Sequence, residues 1–75
     1  MTRYSNNGGD SGVSEYEIND DGIIIQFNTG AKYLYTYTSA GTSNIEEMKK
    51  LALRGEGLNS YIMKYARTSY SSKLN

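Results

Sequence analysis

The chain has 75 residues, no cysteine and no histidine, and its eight carboxylates balance eight cations to a formal charge of zero. That length has room for one hydrophobic core near the lower limit of independent stability, and the residue counts exclude disulfides and leave only carboxylates and carbonyls as metal ligands. Of the usual supports for so small a core, self-association is the one left open, so a homo-oligomer is expected.

Met1 to Gly12 holds three Gly and two Asn with a single aromatic. This is too little apolar surface to offset ordering, so residues 1–12 are expected to form a flexible arm ahead of one folded domain, residues 13–75. Val13–Ile18, rich in β-branched and aromatic residues, is the first expected strand. Asn19-Asp20-Asp21-Gly22 has the chemistry of a reverse turn, with Gly22 supplying a positive φ, and leads into a second strand, Ile23–Phe27. Asn28-Thr29-Gly30 is the next turn, with Gly30 its structural glycine, and Lys32–Thr38 is the third strand. Connections this short predict an antiparallel meander. The longest aliphatic run is Ile23-Ile24-Ile25 and the first dozen residues are polar, so no membrane span or signal peptide is read and a cytoplasmic location is expected.

Ser43-Asn44-Ile45-Glu46 has the form of a capping box, in which the Ser43 hydroxyl accepts from the amide three residues on and Glu46 reaches back. A helix is expected from there, with Ile45, Met48, Leu51 and Ala52 on its apolar face and Lys50 and Arg54 suiting the dipole at its end. Gly55 terminates it. Beyond Gly57, Leu58, Tyr61, Ile62 and Tyr65 fall at the i, i+3, i+4, i+7 spacing of a second short amphipathic helix. Asn59 follows a Gly-bounded turn and is expected to be structural, its amide satisfying backbone groups at the break between the helices. The tail from Thr68 is polar and is read as loosely held. The predicted fold class is therefore α+β, a three-stranded antiparallel meander followed by two short helices packed on one face. Its core would contain Ile23, Ile25, Phe27, Ile45, Met48, Leu51, Leu58 and Ile62.

Nucleophilic catalysis requires a base beside a nucleophile, and the chain has neither His nor Cys. Its carboxylates sit in a turn (Asp20, Asp21), on a strand (Glu15, Glu17) and at a helix start (Glu46, Glu47), where solvation and capping account for them. Gly55-Glu56-Gly57 lacks both the preceding strand and the Lys-Ser/Thr continuation of a phosphate loop. No catalytic residue, metal or cofactor is assigned, and the chain is read as a non-enzyme.

Eight residues are Tyr, with no Trp and one Phe, and Tyr33, Tyr35 and Tyr37 alternate along the third strand. Period two puts them on one face. A three-residue loop Thr29-Gly30-Ala31 pairs Phe27 with Tyr33 and Ile25 with Tyr35, which makes the tyrosines core. A two-residue loop Thr29-Gly30 pairs Ile25 with Leu34 and turns them to the other face. The first register is preferred because Ile23, Ile25 and Phe27 need large partners on the same face.

Residues 1–48 carry seven carboxylates against two cations, a net −5, and residues 49–75 carry six cations against Glu56, a net +5. A basic third of this kind either meets an anionic partner or neutralises the acidic hairpin of the same chain or an acidic neighbouring subunit.

The features together, Ile-x-Ile-x-Phe (Ile23, Ile25, Phe27), a turn Gly30, a central Tyr-x-Tyr (Tyr33, Tyr35), a helix, then Gly55-x-x-Leu58-Asn59-x-x-Ile62 and a late Tyr70, resemble the KTSC domain. That short module occurs alone in bacteria and phages and at the C-terminus of some lysyl-tRNA synthetases. The resemblance spans about residues 13 to 73. It departs at Ser39-Ala40-Gly41-Thr42, where the family usually has a Pro, and at Gly57-Leu58, where an aromatic pair commonly precedes the Asn. The synthetase fusions imply RNA binding by association.

The expected function is thus a small non-catalytic binding module for RNA or other single strands. Arg54, Lys64, Arg67 and Lys73 would meet phosphates, and exposed tyrosines among Tyr33, Tyr35, Tyr37 and Tyr70 would stack bases. Two alternatives are a module that docks on a host or phage protein, as an inhibitor, and an oligomeric binder of a nucleotide-like ligand. A basic groove would favour nucleic acid, a flat apolar patch a protein, and a closed aromatic pocket between subunits a small ligand.

Overall fold

The computed structural model of the protein describes residues 1–7 and 12–74. It is an α+β fold whose five strands, β1 (Thr2–Arg3), β2 (Val13–Asn19), β3 (Gly22–Phe27), β4 (Lys32–Thr36) and β5 (Ser72–Lys73), form one antiparallel sheet in chain order. Helices α1 (Tyr37–Ala40), α2 (Thr42–Arg54) and α3 (Leu58–Tyr61) lie between β4 and β5, and α3 runs on as a π-helical turn over Ile62–Ala66. The expected meander is its centre, extended at both edges by strands too short to show any periodicity in sequence.

Strand β3 is the middle of the sheet, and Ile23 and Ile25 are completely buried beneath Ile45 and Met48 of α2, Leu58 of α3 and Ile62 of the π turn. Seven of the eight expected core residues are buried, and Phe27 is half-buried against them. Across the pair, Ile23 faces Tyr35, Ile25 faces Tyr33 and Ile24 faces Leu34. The hairpin loop is Asn28-Thr29-Gly30, closed by Phe27 N–H donating to Ala31 O at 2.9 Å, with Gly30 at φ 94°. Three-residue hairpins take this form, a left-handed residue completing the loop. The pairing is therefore two residues away from the expected one, and an even shift leaves Tyr33 and Tyr35 on the core face.

The other turn is a two-residue loop, Asp20-Asp21, held by Asn19 Oδ1 accepting from Asp21 N–H at 3.1 Å and Gly22 N–H at 2.9 Å. Gly22 has no positive φ, contrary to expectation. It is required for space, because a Cβ there would lie 1.9 Å from the Tyr35 carbonyl oxygen. In β2 a bulge between Val13 and Glu15 puts Val13 and Tyr16, an odd number of residues apart, both in the core.

Three further expectations are corrected. The third strand ends at Thr36, whose hydroxyl accepts from Ser39 N–H at 3.0 Å while Ser39 Oγ accepts from Thr36 N–H at 3.0 Å. This reciprocal capping box turns the chain into α1 and takes Tyr37 off the strand. Ser43, expected to cap the main helix, lies inside α2, whose first bond runs from Ile45 N–H to Gly41 O at 3.1 Å and which has no side-chain cap. The second helix widens into its π turn, so Leu58, Ile62 and Ala66, spaced by four, form the buried stripe and Tyr65 is left exposed.

The first seven residues pack on the domain instead of extending from it as an arm, and residues 8–11 of that arm lie outside the described residues. Thr2 and Arg3 pair with Tyr16 and Glu15. Tyr4 is 3% exposed, and its hydroxyl accepts from Leu58 N–H at 3.2 Å, one of the amides a helix start leaves without an internal partner. At the far end of α2, Gly55 takes a left-handed conformation and ends the helix as expected, and Asn7 satisfies two of the carbonyls there. Its N–H donates to Gly55 O at 2.6 Å and its Nδ2 to Arg54 O at 3.2 Å. The tail is likewise held, through Ser71 N–H to Leu34 O and Leu74 N–H to Lys32 O at 2.6 and 2.8 Å, on either side of β5.

Deleting a buried aromatic ring costs about 3–5 kcal/mol, so Tyr4→Ala should remove much of the stability of a domain this small, and Tyr4→Phe, which keeps the ring and loses the bond to Leu58, about 1 kcal/mol. Urea unfolding of the three proteins checks this. An arm that contributes nothing would leave all three curves superimposed.

Candidate functional site

Where the β3–β4 hairpin meets the π turn and the approach to β5, a cavity of about 410 Å³ opens between sheet and helix. Its walls are mostly aromatic. Phe27 and Tyr33 meet edge to face at a centroid distance of 5.8 Å, Tyr33 and Tyr70 are tilted at 4.6 Å, and Tyr35 and Tyr70 are perpendicular at 6.2 Å. Met63 and Arg67 complete the helical side, with Arg67 exposed at the rim.

Each wall has a local cause. Phe27 and Tyr33 are diagonal neighbours on the core face of the β3–β4 pair, because Phe27 stands opposite Ala31. Asn59, Met63 and Arg67 follow one another at intervals of four, so all three line the cavity from one side of the helical segment. Tyr70 arrives because β5 pairs with β4, which also brings Lys73 Nζ to 5.9 Å from the Tyr33 ring centroid. The Asn59 side chain lies directly on Gly12, where a Cβ would come within 2.1 Å of Oδ1.

Tyr35 is the deepest wall residue, 1% exposed, and its hydroxyl makes no hydrogen bond within the described residues. Burial, then the neighbouring Tyr33 and Tyr70, push its pKa up to about 12. It is therefore a neutral phenol at any physiological pH, a polar group at the back of an apolar chamber.

Of the residues singled out from sequence, Tyr33, Tyr35, Arg67, Tyr70 and Asn59 converge here, and Lys73 adjoins them through Tyr33. Three others lie elsewhere. Tyr37, on α1, donates its hydroxyl proton to Glu46 and accepts from Lys49 Nζ at 2.8 Å, and Lys49 also donates to Asn19 O at 3.1 Å. Arg54 lies 3.6 Å from Glu56, both exposed, a pair of little energetic weight. Lys64 sits 5.3 Å above the Tyr65 ring, on the outer side of the π turn. Two wall residues are not read as site residues in the sequence, where Phe27 belongs to the expected core and Met63 has no expected role. The spacing of Met63 from Asn59 and Arg67 is the signal that places it in the wall.

The cavity brings together no nucleophile and base, and among the described residues no group of three acidic side chains could hold a metal ion. What it offers is flat apolar walls, a phenol inside and a guanidinium at the rim. Compared with known proteins, the chain matches no family model, no curated sequence and no solved structure. No helix among the described residues is long and apolar enough to cross a membrane.

The raised Tyr35 pKa makes an alkaline prediction. Below pH 10 the phenol is protonated whether the chain is folded or not, and its contribution is fully present. Between pH 10 and about 12 the unfolded chain releases this proton while the folded chain keeps it, so stability falls across that window by up to ~2–3 kcal/mol. Tyr35→Phe has no proton to release and should lose correspondingly less, as urea unfolding over about pH 9 to 12 would show. Equal alkaline losses in the two proteins would mean that Tyr35 titrates normally.

Proposed function

We propose that the protein is a non-catalytic module that captures an unstacked base of single-stranded RNA in the aromatic cavity, with Arg67 and Lys73 on the adjoining phosphates. The observation that carries this reading is the convergence of Phe27, Tyr33, Tyr35 and Tyr70 on one cavity with a guanidinium at its rim. Aromatic faces accept any base, so little sequence preference is expected, and with few cations at the site the affinity is weak. The resemblance to the KTSC module points the same way.

A second reading, a free nucleotide-like ligand, is favoured by the cavity volume, which falls within the range of small-molecule sites. Both occupants share a base and a phosphate. A strand and a mononucleotide titrated side by side distinguish them.

Titration of a labelled single-stranded RNA at low salt should give binding at or below about 100 µM protein, weakening with salt at a log-log slope of roughly −0.7 per phosphate contacted. Tyr70→Ala should cost about 1–3 kcal/mol at low and high salt alike, because stacking is not screened. Arg67→Gln should lower the slope by about 0.7 and affect all sequences equally. Absence of binding by the unmodified protein at that concentration would overturn the base-capture reading.

A further inference from the structure

The outer side of the π turn carries a second aromatic surface that the cavity does not use. Tyr61 and Tyr65 are tilted against each other at a centroid distance of 4.8 Å and an interplanar angle of 44°. Tyr61 is half-buried and fixed: its hydroxyl donates to Asn44 Oδ1 at 2.8 Å, and Asn44 Nδ2 donates to Ala40 O at 2.9 Å. Burial, then the Glu47 carboxylate and Tyr65, raise the Tyr61 pKa, so the hydroxyl stays a neutral donor. Tyr65 leans on this anchored ring yet is 55% exposed, the most exposed aromatic among the described residues. Lys64 Nζ lies 5.3 Å over the same ring, so a flat ligand that stacks on Tyr65 displaces this ammonium from the ring and leaves it beside the ligand's own phosphate.

The position of this surface identifies the ligand. Around the helical segment Ile62 and Ala66 face the core, Met63 and Arg67 face the cavity, Lys64 points outward and Tyr61 and Tyr65 occupy the remaining side. A path from the cavity to Tyr65 thus crosses one helix, about 10–12 Å, and passes Arg67 and then Lys64. An aromatic platform, two cations and a second aromatic platform in series match an anionic backbone that presents bases at intervals. A mononucleotide cannot span them.

We infer that Tyr65, backed by Tyr61, is a second stacking platform for the same single strand, with Lys64 on the backbone where it crosses the π turn. This rests on the base-capture reading and extends it from one base to a short strand.

Adenosine monophosphate and a single-stranded adenylate hexamer, titrated against the unmodified protein, Tyr65→Ala and Tyr65→Phe, test it. The hexamer should bind the unmodified protein more tightly than the mononucleotide does. Tyr65→Ala should weaken the hexamer about tenfold and leave the mononucleotide unchanged, and Tyr65→Phe, which keeps the stacking face, should restore hexamer binding. Because Tyr65 is exposed, an unchanged melting temperature would show that the loss is not unfolding. Unchanged hexamer binding by Tyr65→Ala, or a hexamer no tighter than the mononucleotide, would overturn the second platform while leaving the cavity its base. Failure of both probes to bind the unmodified protein would overturn base capture and this inference together.

Discussion

The pairing of β3 with β4 is the constraint on which the rest of the molecule depends. Ile23 and Ile25 have no exposure at all, and the helices are positioned by covering them. Opposite them stand Tyr35 and Tyr33, so one register supplies the floor of the core and the back wall of the cavity together. A slip of one residue would turn both tyrosines to the open face, where Glu15, Glu17, Ile24 and Leu34 now lie, and would leave one of Ile23 and Ile25 opposite Leu34 and the other opposite Lys32 or Thr36. The three-residue loop ending at Gly30 resists that slip, because its closing bond from Phe27 to Ala31 exists only in this register.

Three strands and two helices of this length would leave the ends of both elements unsatisfied, and the chain resolves this with its termini. Tyr4 fills the core beside the start of α3 and accepts one of its free amides, while Asn7 accounts for the carbonyls at the end of α2. These are polar debts of any helix, met here by residues more than forty positions away in sequence. The other terminus adds β5, and with it Tyr70 and Lys73. Part of the cavity wall is consequently made by the same pairing that closes the sheet, which links the integrity of the site to that of its edge strand.

Legibility in the sequence followed the strength of local patterns. Ile23, Ile25, Ile45, Met48 and Leu51 were readable because strand and helix periodicity persists over a full element. Thr2–Arg3 and Ser72–Lys73 were not, because two residues carry no period and their pairing is decided by partners far along the chain. The Ser43 cap misled for a different reason. An equally good box at Thr36 and Ser39 comes first, and once α1 has formed, Gly41 leads straight into α2. α-Helical spacing puts Tyr65 on an apolar face, but a π turn does not keep that spacing. At the site, the Tyr-x-Tyr alternation gave Tyr33 and Tyr35, but only the tertiary fold brings them to Arg67 and Tyr70.

Charge is where sequence and structure differ most in what they imply. A net +5 over residues 49–75 reads as a basic surface, but its cations are dispersed and partly committed. Lys49 is tied to the Asn19 carbonyl and the Tyr37 hydroxyl, Arg54 stands beside Glu56, and only Arg67 and Lys73 adjoin the cavity. At physiological salt, exposed charges more than about 8 Å apart are largely screened from each other, so the scattered ones do not sum into a strong field. On the proposed base-capture reading, aromatic contact, which salt does not screen, would supply most of the selectivity for an unpaired base over a duplex whose bases are stacked on each other. On that reading the cations would bring a strand to the surface, and the tyrosines would decide whether it stays.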